Sequence, residues 1–503
     1  MPQRSPSRLL SLPALLLAVG LGGCAIQPQA LTPEQRAATV QSDRREMFAQ
    51  QEPVQGPITL EEAMARAIKY NLDQRVKLME EALAQRQLDV SRIDLLPKLA
   101  LQAGYSARDN ELASSSRDVI TRQQSLVPST STDRNLRTAD LNLSWNVLDF
   151  GVSYYGARQQ ADRTLMAEER RRKVVHLLMQ KTRQAYWQAA GAQLLEGKIE
   201  PVLQQARQAL ADSRKVEVEK LRSPLEALNY QRQLLDIVRQ LEAVRDELAQ
   251  AKPRLAAIMN LEPGQPFTVV IPATLAVPQV SMPVASMEQT ALLRRPEVVE
   301  AEYQERIGVL ETRKAMARLL PGIEISVGDH YDSNSYLVNH QWSDLGLRVG
   351  WNLFNVLANR SIRGAAQAQL DLAREQRLAL NMAVLTQVHV AQLGYASELK
   401  QFQLTQQMNA VDQRILTYTH NATASHAQGQ LEEIRAAAIA MMSELRLYQG
   451  YGALEGAYGQ VIATLGLDPL PQTVRGHDLK TLSDAVRSSE QAWGKTVNPG
   501  GGA

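Results

Sequence analysis

The amino-acid sequence predicts a mainly α-helical protein that combines long helical hairpins with four β-strands per chain. The first observation is composition: 44% of the 503 residues are hydrophobic but only 5% are aromatic, and abundant Ala, Leu, Gln, Glu and Arg favour long helices that pack like coiled coils. The second is an internal repeat, because the same helices and strands occur twice. The third is a period-two alternation of apolar and polar residues in four short segments, which is typical of β-strands.

The charges of the chain are balanced. There are 55 Lys and Arg residues against 53 Asp and Glu, which gives a formal net charge of +2. A strongly basic field would indicate nucleic acid as a partner, and a strongly acidic one would indicate disorder. Neither is present, so no nucleic-acid partner is predicted.

The N-terminus has the layout of a signal peptide, which we assign to residues 1–23. Arg4 and Arg8 precede the apolar run 9–19, which is too short to span a bilayer as a helix. Cys24 is the only cysteine of the chain, which rules out an intramolecular disulfide and a cysteine-based zinc site.

Cys24 follows Leu-Gly-Gly, and this segment resembles the bacterial lipobox. The resemblance implies that signal cleavage leaves Cys24 lipidated, for example with palmitate, at the new N-terminus. An ordinary signal peptide with a chance cysteine is the alternative. Ala25 and Ile26 do not resemble the signal that retains lipoproteins at the inner membrane, so an outer-membrane location is favoured.

The repeat is defined by matched segments. Residues 141–149 (LNLSWNVLD) recur as residues 347–355 (LRVGWNLFN), an offset of 206, and the same offset relates 225–226 to 431–432. Upstream, the Leu-Leu-Pro of 95–97 recurs at 319–321, so the first copy has 18 extra residues, in the polar stretch 106–137. We predict a loop there. The domain boundaries that follow are a lipidated linker 24–58, a first repeat 59–263, a linker 264–286, a second repeat 287–469 and a polar, irregular tail 470–503.

Each repeat reads as helix, strand, strand, long helix and return helix. The first helix begins at Thr59, whose spacing to Glu62 is that of a capping box, and it ends before Pro97. Two helices of more than sixty residues follow the strand pairs, and after a short break return helices end near Asn260 and Gly466. The alternating strand segments are 99–105, 141–147, 323–327 and 345–351, and the long helices are 151–221 and 357–420.

The strands decide how the chain can cross a membrane. Beyond the signal peptide, no stretch reaches the roughly 18 apolar residues that a membrane helix needs. Four strands are too few to close a barrel, and an open sheet edge cannot face lipid. We therefore predict that the chain oligomerises, since three copies would supply twelve strands.

These features together resemble the TolC-like outer-membrane factors, over roughly residues 59–469. The residues that carry the resemblance are the lipobox, the two-fold repeat, the Trp-Asn turn after each strand pair and the Leu-x-Pro that closes each half. The resemblance implies a homotrimer with a 12-stranded barrel in the outer membrane and an α-helical tunnel across the periplasm. It also implies a periplasmic adaptor and an inner-membrane transporter docked at the tunnel tip, and terminal flanks that wrap the tunnel's equator.

The two hairpin ends are the predicted periplasmic tips. The resemblance assigns adaptor docking to two groups of residues and a gate to a third, although Lys220 and His426 stand where the family usually has glycine. The docking residues are Lys220, Leu221, Arg222 and Ser223 at the first tip and His426 and Gly429 at the second; the gate residues are Glu226, Glu432 and Arg435. The alternative for Glu432 and Arg435 is that both are solvated helix charges.

Trp145 and Trp351 stand at the ends of alternating strands. That position is typical of the aromatic girdle at a membrane interface, and we favour it over the alternative that both are core residues. The glycines at 450, 452, 456 and 459 are better explained by close helix packing than by a ligand loop.

No catalytic or cofactor-binding constellation is predicted. The seven histidines include no pair at the helical spacing of metal ligands, and neither a phosphate-binding glycine loop nor a Gly-x-Ser-x-Gly elbow occurs. The predicted function is passive conduction out of the cell for a tripartite efflux pump or a type I secretion system. A lipid-anchored periplasmic coiled-coil adaptor or scaffold is the main alternative, and a lipoprotein hydrolase is a distant third. The sequence does not identify the cargo.

Overall fold

The computed structural model describes residues 28–219, 223–425, 429–471, 474 and 476–499. The chain divides into two compact units, residues 1–51 and 52–503. In the first unit, helix α1 spans Pro33–Phe48, with Thr32 and Gln35 forming a reciprocal capping box and none of its side chains buried. The predicted linker 24–58 contains this helix, because the Thr-Pro-Glu-Gln capping signal starts it.

The helices of the second unit reproduce the repeat residue by residue. The first copy contains α2 (Leu60–Tyr70), α3 (Leu72–Ile93), α4 (Val147–Val218) and α5 (Pro224–Ile258); the second contains α6 (Val284–Arg294), α7 (Pro296–Ala317), α8 (Leu353–Ala424) and α9 (Gln430–Thr464). Adding 224 to the bounds of α2 and α3 gives those of α6 and α7. Adding 206 to the bounds of α4 and α5 gives those of α8 and α9. The two-fold repeat is therefore confirmed in the structure.

The first helix of each repeat is interrupted, which the continuous helix predicted from residue 59 to residue 95 did not anticipate. At the interruption, Asn71 caps α3 by accepting hydrogen bonds from the backbone N–H groups of Asp73 and Gln74 at 3.1 and 3.3 Å. In the second copy the equivalent position is Arg295, which precedes Pro296. Proline disfavours helical geometry in the residue before it, so Pro296 indicated the interruption in the sequence of the second copy.

The long helices α4 and α8 have 72 residues each, which corresponds to roughly 108 Å at 1.5 Å per residue. They begin several residues before the predicted starts, because Asn146 and Asn352 cap them directly after the strands. Pro201 lies inside α4 and does not end it. Among the helices of the described residues, none has the combination of length and apolar composition that crossing a membrane would need.

The helices pack side by side in two four-helix layers that share α4 and α8. In the first layer, the order is α3, α4, α7, α8; in the second layer, it is α5, α4, α9, α8. Ion pairs join neighbouring helices in both layers. They include Arg171–Glu81 between α4 and α3, Arg170–Glu300 between α4 and α7, Arg377–Glu305 between α8 and α7, and Lys198–Glu444 between α4 and α9.

The strands form one antiparallel four-stranded sheet in the order β1 (Lys98–Ala107), β4 (Asn135–Asn146), β5 (Gly322–Asp332) and β6 (Gln341–Gly350). The four predicted strands are confirmed. The predicted loop 106–137 is shorter than expected, because β1 runs to Ala107 and β4 starts at Asn135. A small hairpin of β2 (Ala113–Ser114) and β3 (Ser129–Thr130) occupies its middle.

The main hydrophobic core lies where the middles of α4 and α8 meet the ends of α5 and α9. Several buried aromatic residues lie there, among them Tyr186, Trp187, Phe402 and Tyr451. The core also contains residues of α10, which spans Leu479–Val497.

Helix α10 lies in the segment that composition predicted to be a polar, irregular tail, and for residues 479–497 that prediction is wrong. Its buried residues are Leu479, Leu482, Val486, Ser489, Trp493 and Val497. They follow the three- and four-residue spacing of an amphipathic helix. The sequence therefore contained the helical period, but the prediction for this segment used only its composition.

Candidate functional site

The sheet has one apolar and one polar face. Paired residues in all three ladders are either both odd-numbered or both even-numbered, so all odd-numbered strand residues share a face. Most large apolar side chains of the strands are on this odd face and are exposed: Leu99, Leu101, Leu141, Leu143, Ile325, Val327, Leu345, Leu347 and Val349. An exposed apolar surface of this size marks an interaction site with lipid or protein.

The even face carries small and polar residues, among them Gln102, Asn142, Ser144, Ser326 and Gly346. Toward the end of the sheet nearest the loops, it holds a cluster of Asp140, His330, Trp342 and Asp344. The strands therefore have the alternation that separates a lipid-facing side from a water-filled side in membrane barrels.

Both predicted girdle tryptophans are exposed and lie at strand ends. Trp145 is 39% exposed and its ring meets Phe150 edge-on at 5.7 Å. Trp351, 52% exposed, follows β6, and its indole N–H donates to the carbonyl oxygen of Leu319 at 3.0 Å. Neither is buried in this chain, so the alternative assignment to its core is not supported. The girdle role itself stays a prediction.

The ends of the two hairpins are described only in part. Lys220, Leu221, Arg222 and His426 lie outside the described residues. Ser223 is the N-cap residue of α5, where its side chain makes no capping hydrogen bond, and Gly429 is the N-cap residue of α9. The φ of Gly429 is −86°, so this position does not require glycine.

The two predicted gate carboxylates, Glu226 and Glu432, lie in the first turns of the return helices. Glu226 and Glu432 are equivalent under the offset of 206, and both are near N-termini, where a helix stabilises negative charge. Arg435 Nη1 lies 3.1 Å from Glu432 Oε1, and Arg435 Nη2 also donates to Gln233 of α5. The structure thus brings Glu432 and Arg435 together and links α9 to α5 through them. Their role in a gate stays a prediction.

Two further contacts near the hairpin ends were not anticipated. The imidazole Nδ1 of His420 lies 2.6 Å from Glu433 Oε1, which joins α8 to α9. Gln231 of α5 donates to Glu217 of α4 at 2.7 Å. Partners separated by a hairpin have no fixed sequence spacing, so no local pattern could have indicated these contacts.

A buried ionic cluster in the core was also missed. Arg183 of α4 is almost fully buried and contacts Glu455 of α9 at 2.5 Å and Glu490 of α10. Burial alone would lower the pKa of Arg183, but the two carboxylates raise it. Burial raises the pKa of Glu490, and Arg183 opposes this effect. The cluster ties α10 to the long helices.

A second polar cluster holds the end of α9. Asp468 accepts from His176 at 2.9 Å and from Arg172 at 2.9 Å. Burial would raise the pKa of Asp468, but these two partners lower it, so its carboxylate is held ionised. The indole N–H of Trp493 in α10 donates to the backbone carbonyl of Asp468. This hydrogen bond joins α10 to the cluster.

Four histidines, His176, His330, His389 and His420, each contact a carboxylate. Within the part of the chain that the structure describes, no group of three or more His, Cys, Asp or Glu residues could hold a metal ion. The glycines of α9 have the predicted packing role: a Cβ on Gly452 would lie 3.4 Å from the Cβ of Trp187 on α4. Cys24 lies outside the described residues.

No protein-family model matches the sequence, and no curated protein matches it either. Solved structures do. The Campylobacter jejuni CmeC outer membrane channel superposes with a TM-score of 0.64 at 14% identity, covering 83% of this chain and 90% of that chain. CusC, described for its transmembrane channel formation, gives 0.62 at 18%, covering 84% and 96%.

The outer membrane protein VceC from Vibrio cholerae gives a TM-score of 0.60 at 15% identity, covering 81% of this chain and 96% of that chain. At these identities the likeness concerns the fold. The chain therefore has the fold of an outer-membrane channel subunit, and the predicted resemblance to the TolC-like outer-membrane factors is confirmed at that level.

Proposed function

We propose that the protein is the outer-membrane channel-tunnel of an export system, a homotrimer that conducts substrates out of the cell passively and catalyses nothing. It would work with a periplasmic adaptor and an inner-membrane transporter, as part of a tripartite efflux pump or a type I secretion system. Supporting the proposal are the shared fold and the surfaces that this chain leaves uncovered.

The observation that carries the proposal is the exposed odd face of the four-stranded sheet. Its leucines, isoleucines and valines are exposed in the single chain, which is unfavourable in water and favourable in lipid. Strands β1 and β6 are the edges of the sheet, and their backbone groups need partners inside a bilayer. Three chains joined edge to edge would close twelve strands into a barrel and leave no free edge.

The helical layers support the same closure. Helix α3, at one side of its layer, exposes an apolar stripe at heptad-like spacing: Val76, Met79, Leu83, Val90 and Ile93. Helix α8 lies at the opposite side of both layers, and in the layer that contains α5 and α9 it exposes Leu404, Met408, Val411, Ile415 and Tyr418, spaced alternately by four and three residues. Such stripes are the seams of coiled coils. Different surfaces on opposite sides of one subunit produce a ring when the rotation closes.

The remaining assignments belong to the same proposal. Lipidation at Cys24 would add a membrane anchor, and Trp145 and Trp351 would lie at a membrane interface. Glu226, Glu432 and Arg435 would form the periplasmic gate, with the adaptor docking at the two hairpin ends. The alternative of a lipid-anchored adaptor or scaffold is disfavoured, because both repeats contribute a strand pair to one continuous sheet, whereas an adaptor has a single hairpin between β-domains.

The test is the mass and the conductance of the purified protein. In detergent the protein should be a trimer with strongly helical circular dichroism, and in planar bilayers it should form discrete ion-conducting channels. A monodisperse monomer that forms no channels would rule out the channel function and leave the scaffold.

A further inference from the structure

The even face of the sheet carries an ionic cluster for which the proposed function has so far given no role. In β5, the imidazole Nδ1 of His330 lies 2.6 Å from Asp140 Oδ1 on β4, and its Nε2 lies 3.4 Å from Asp344 Oδ2 on β6. The ring stacks on Trp342 of β6, with centroids 5.2 Å apart and an interplanar angle of 18°. One side chain thus joins three of the four strands.

The contacts define the charge of the cluster. An ionised carboxylate only accepts hydrogen bonds, and a neutral imidazole has a single N–H. Both ring nitrogens of His330 face carboxylate oxygens, so the geometry fits the doubly protonated imidazolium. Two carboxylates against one imidazolium leave one net negative charge per chain, and so three in a trimer.

The position of the cluster is fixed by the register. Asp140, His330 and Trp342 lie opposite one another on adjacent strands, and Asp344 faces Gly328 on the next row. A Cβ on Gly328 would lie 2.5 Å from His330 Nε2 and 2.9 Å from Asp344 Oδ1, so the absence of a side chain there makes the room that the cluster occupies.

The other end of the same face has no such excess charge. There, Arg348 and Glu324 lie opposite each other with 3.8 Å between Nη1 and Oε2, which is a neutral pair. Lys98 of β1 adds a positive charge at this end, and Asp332 of β5, one row beyond Asp140 and His330, adds a carboxylate at the other end. The net negative charge of the even face is therefore at the His330 end, on the loop side of the sheet.

We propose that the cluster of Asp140, His330, Trp342 and Asp344 is a charge-selective ring in the barrel lumen that favours cationic over anionic solutes. The inference rests on the proposed function, since it needs the even face to line a water-filled barrel. Rings of like charge in a narrow pore concentrate counter-ions and exclude co-ions. His330 is a positioning residue and a partial neutraliser: it holds the two carboxylates at the wall and sets the net charge of the ring.

Asp329, the residue before His330 in β5, offers a matched control. Asp329 lies on the odd face, where its Oδ1 accepts a hydrogen bond from Ser343 Oγ at 2.5 Å. Asp329→Asn and Asp344→Asn remove the same charge at nearly the same height on opposite faces. Only a lumenal effect would separate them.

The experiment measures the reversal potential of single channels in a KCl gradient across a planar bilayer. Asp344→Asn should lower the ratio of potassium to chloride permeability, and His330→Gln should raise it, each by about twofold or more. Asp329→Asn should leave the ratio unchanged. Opposite signs for the first two variants are the distinctive result, because a merely structural role would perturb both in the same direction.

Each outcome is decisive. If channels form but Asp344→Asn and His330→Gln leave the permeability ratio unchanged, or if Asp329→Asn shifts it as strongly as Asp344→Asn does, the selectivity role is overturned while the channel function stands. If the unmodified protein forms no channels, the proposed function fails first. A variant that does not assemble is replaced by Asp140→Asn, which removes the other carboxylate and should shift the ratio in the same direction as Asp344→Asn.

Discussion

Replacing Arg183 by Met should release helix α10 from the rest of the second unit. Arg183 has 8% of its side chain exposed, and its partners Glu455 and Glu490 have 7% and 20%. Methionine fills a similar volume but leaves two carboxylates without a cation. Breaking a buried ion pair in this way costs about 3–5 kcal/mol, and the partial exposure of Glu490 points to about 3 kcal/mol, the lower end of that range.

The assay is hydrogen–deuterium exchange on the detergent-solubilised protein. A loss of about 3 kcal/mol in local stability corresponds to roughly hundredfold faster exchange of the α10 amides. Arg487→Met is the control, because Arg487 is half-exposed and contacts Asp484 at 3.0 Å and Glu61 of α2 at 3.5 Å, and such exposed pairs contribute only about 0–1 kcal/mol each. If α10 in Arg183→Met exchanges as slowly as in the unmodified protein, the cluster does not hold the helix.

The pH dependence gives a second check. Burial raises the pKa of Glu490 even with Arg183 present, and removing the cation should raise it further. A carboxyl group whose pKa is higher in the folded than in the unfolded state contributes stability at low pH that is lost as the pH rises through the folded pKa. The exchange defect of Arg183→Met, relative to the unmodified protein at the same pH, should therefore be larger at pH 8 than at pH 5. A defect that grows toward acid pH would contradict this.

Three further predictions concern packing, anchor and gate. Gly452→Leu should push α9 away from α4 and lower the free energy of unfolding by about 1–3 kcal/mol, measured by thermal unfolding with circular dichroism. Gly197→Leu is the control, because a side chain at Gly197 meets open space, and it should change the stability little. Equal effects of the two variants would refute the close packing of α9 on α4. Cys24→Ser should abolish the lipid mass increment yet leave the protein in the outer membrane; a fully soluble product would contradict the barrel. Glu432→Gln should lower cation preference in planar bilayers, and Glu432→Gln with Arg435→Ala should raise closed-state conductance; unchanged values in both would place Glu432 on an outer, solvated surface.

The sequence was sufficient for the parts of the fold that a local pattern encodes. The odd and even faces of the strands follow from period-two alternation. The helices of the two repeats follow from the offsets of 206 and 224, which match their bounds residue by residue. Asn146 and Asn352, which cap the long helices, stand in the very segments that revealed the repeat.

The parts that were missed depend on contacts distant in sequence. Arg183 and Glu490 are 307 residues apart, and nothing near either residue indicates the other. Helix α10 was missed for a different reason, because composition averages over positions and so hides the spacing of Leu479, Leu482 and Val486. At the hairpin ends, the contact of Arg435 with Gln233 required the relative placement of two repeats, which no local pattern provides.

The most direct test of the trimeric barrel is a disulfide between the edge strands of neighbouring chains. In one chain, β1 and β6 are separated by three strand spacings, about 14 Å, whereas a disulfide needs Cα atoms within about 7 Å. Cysteines replacing Leu101 and Leu347, and at neighbouring odd-numbered positions to sample the register, with Cys24→Ser as background, can therefore link only different chains. Oxidation in membranes should give covalent dimers and closed trimers and nothing larger. Monomers at every pair, or a ladder that continues beyond three chains, would contradict the trimeric barrel.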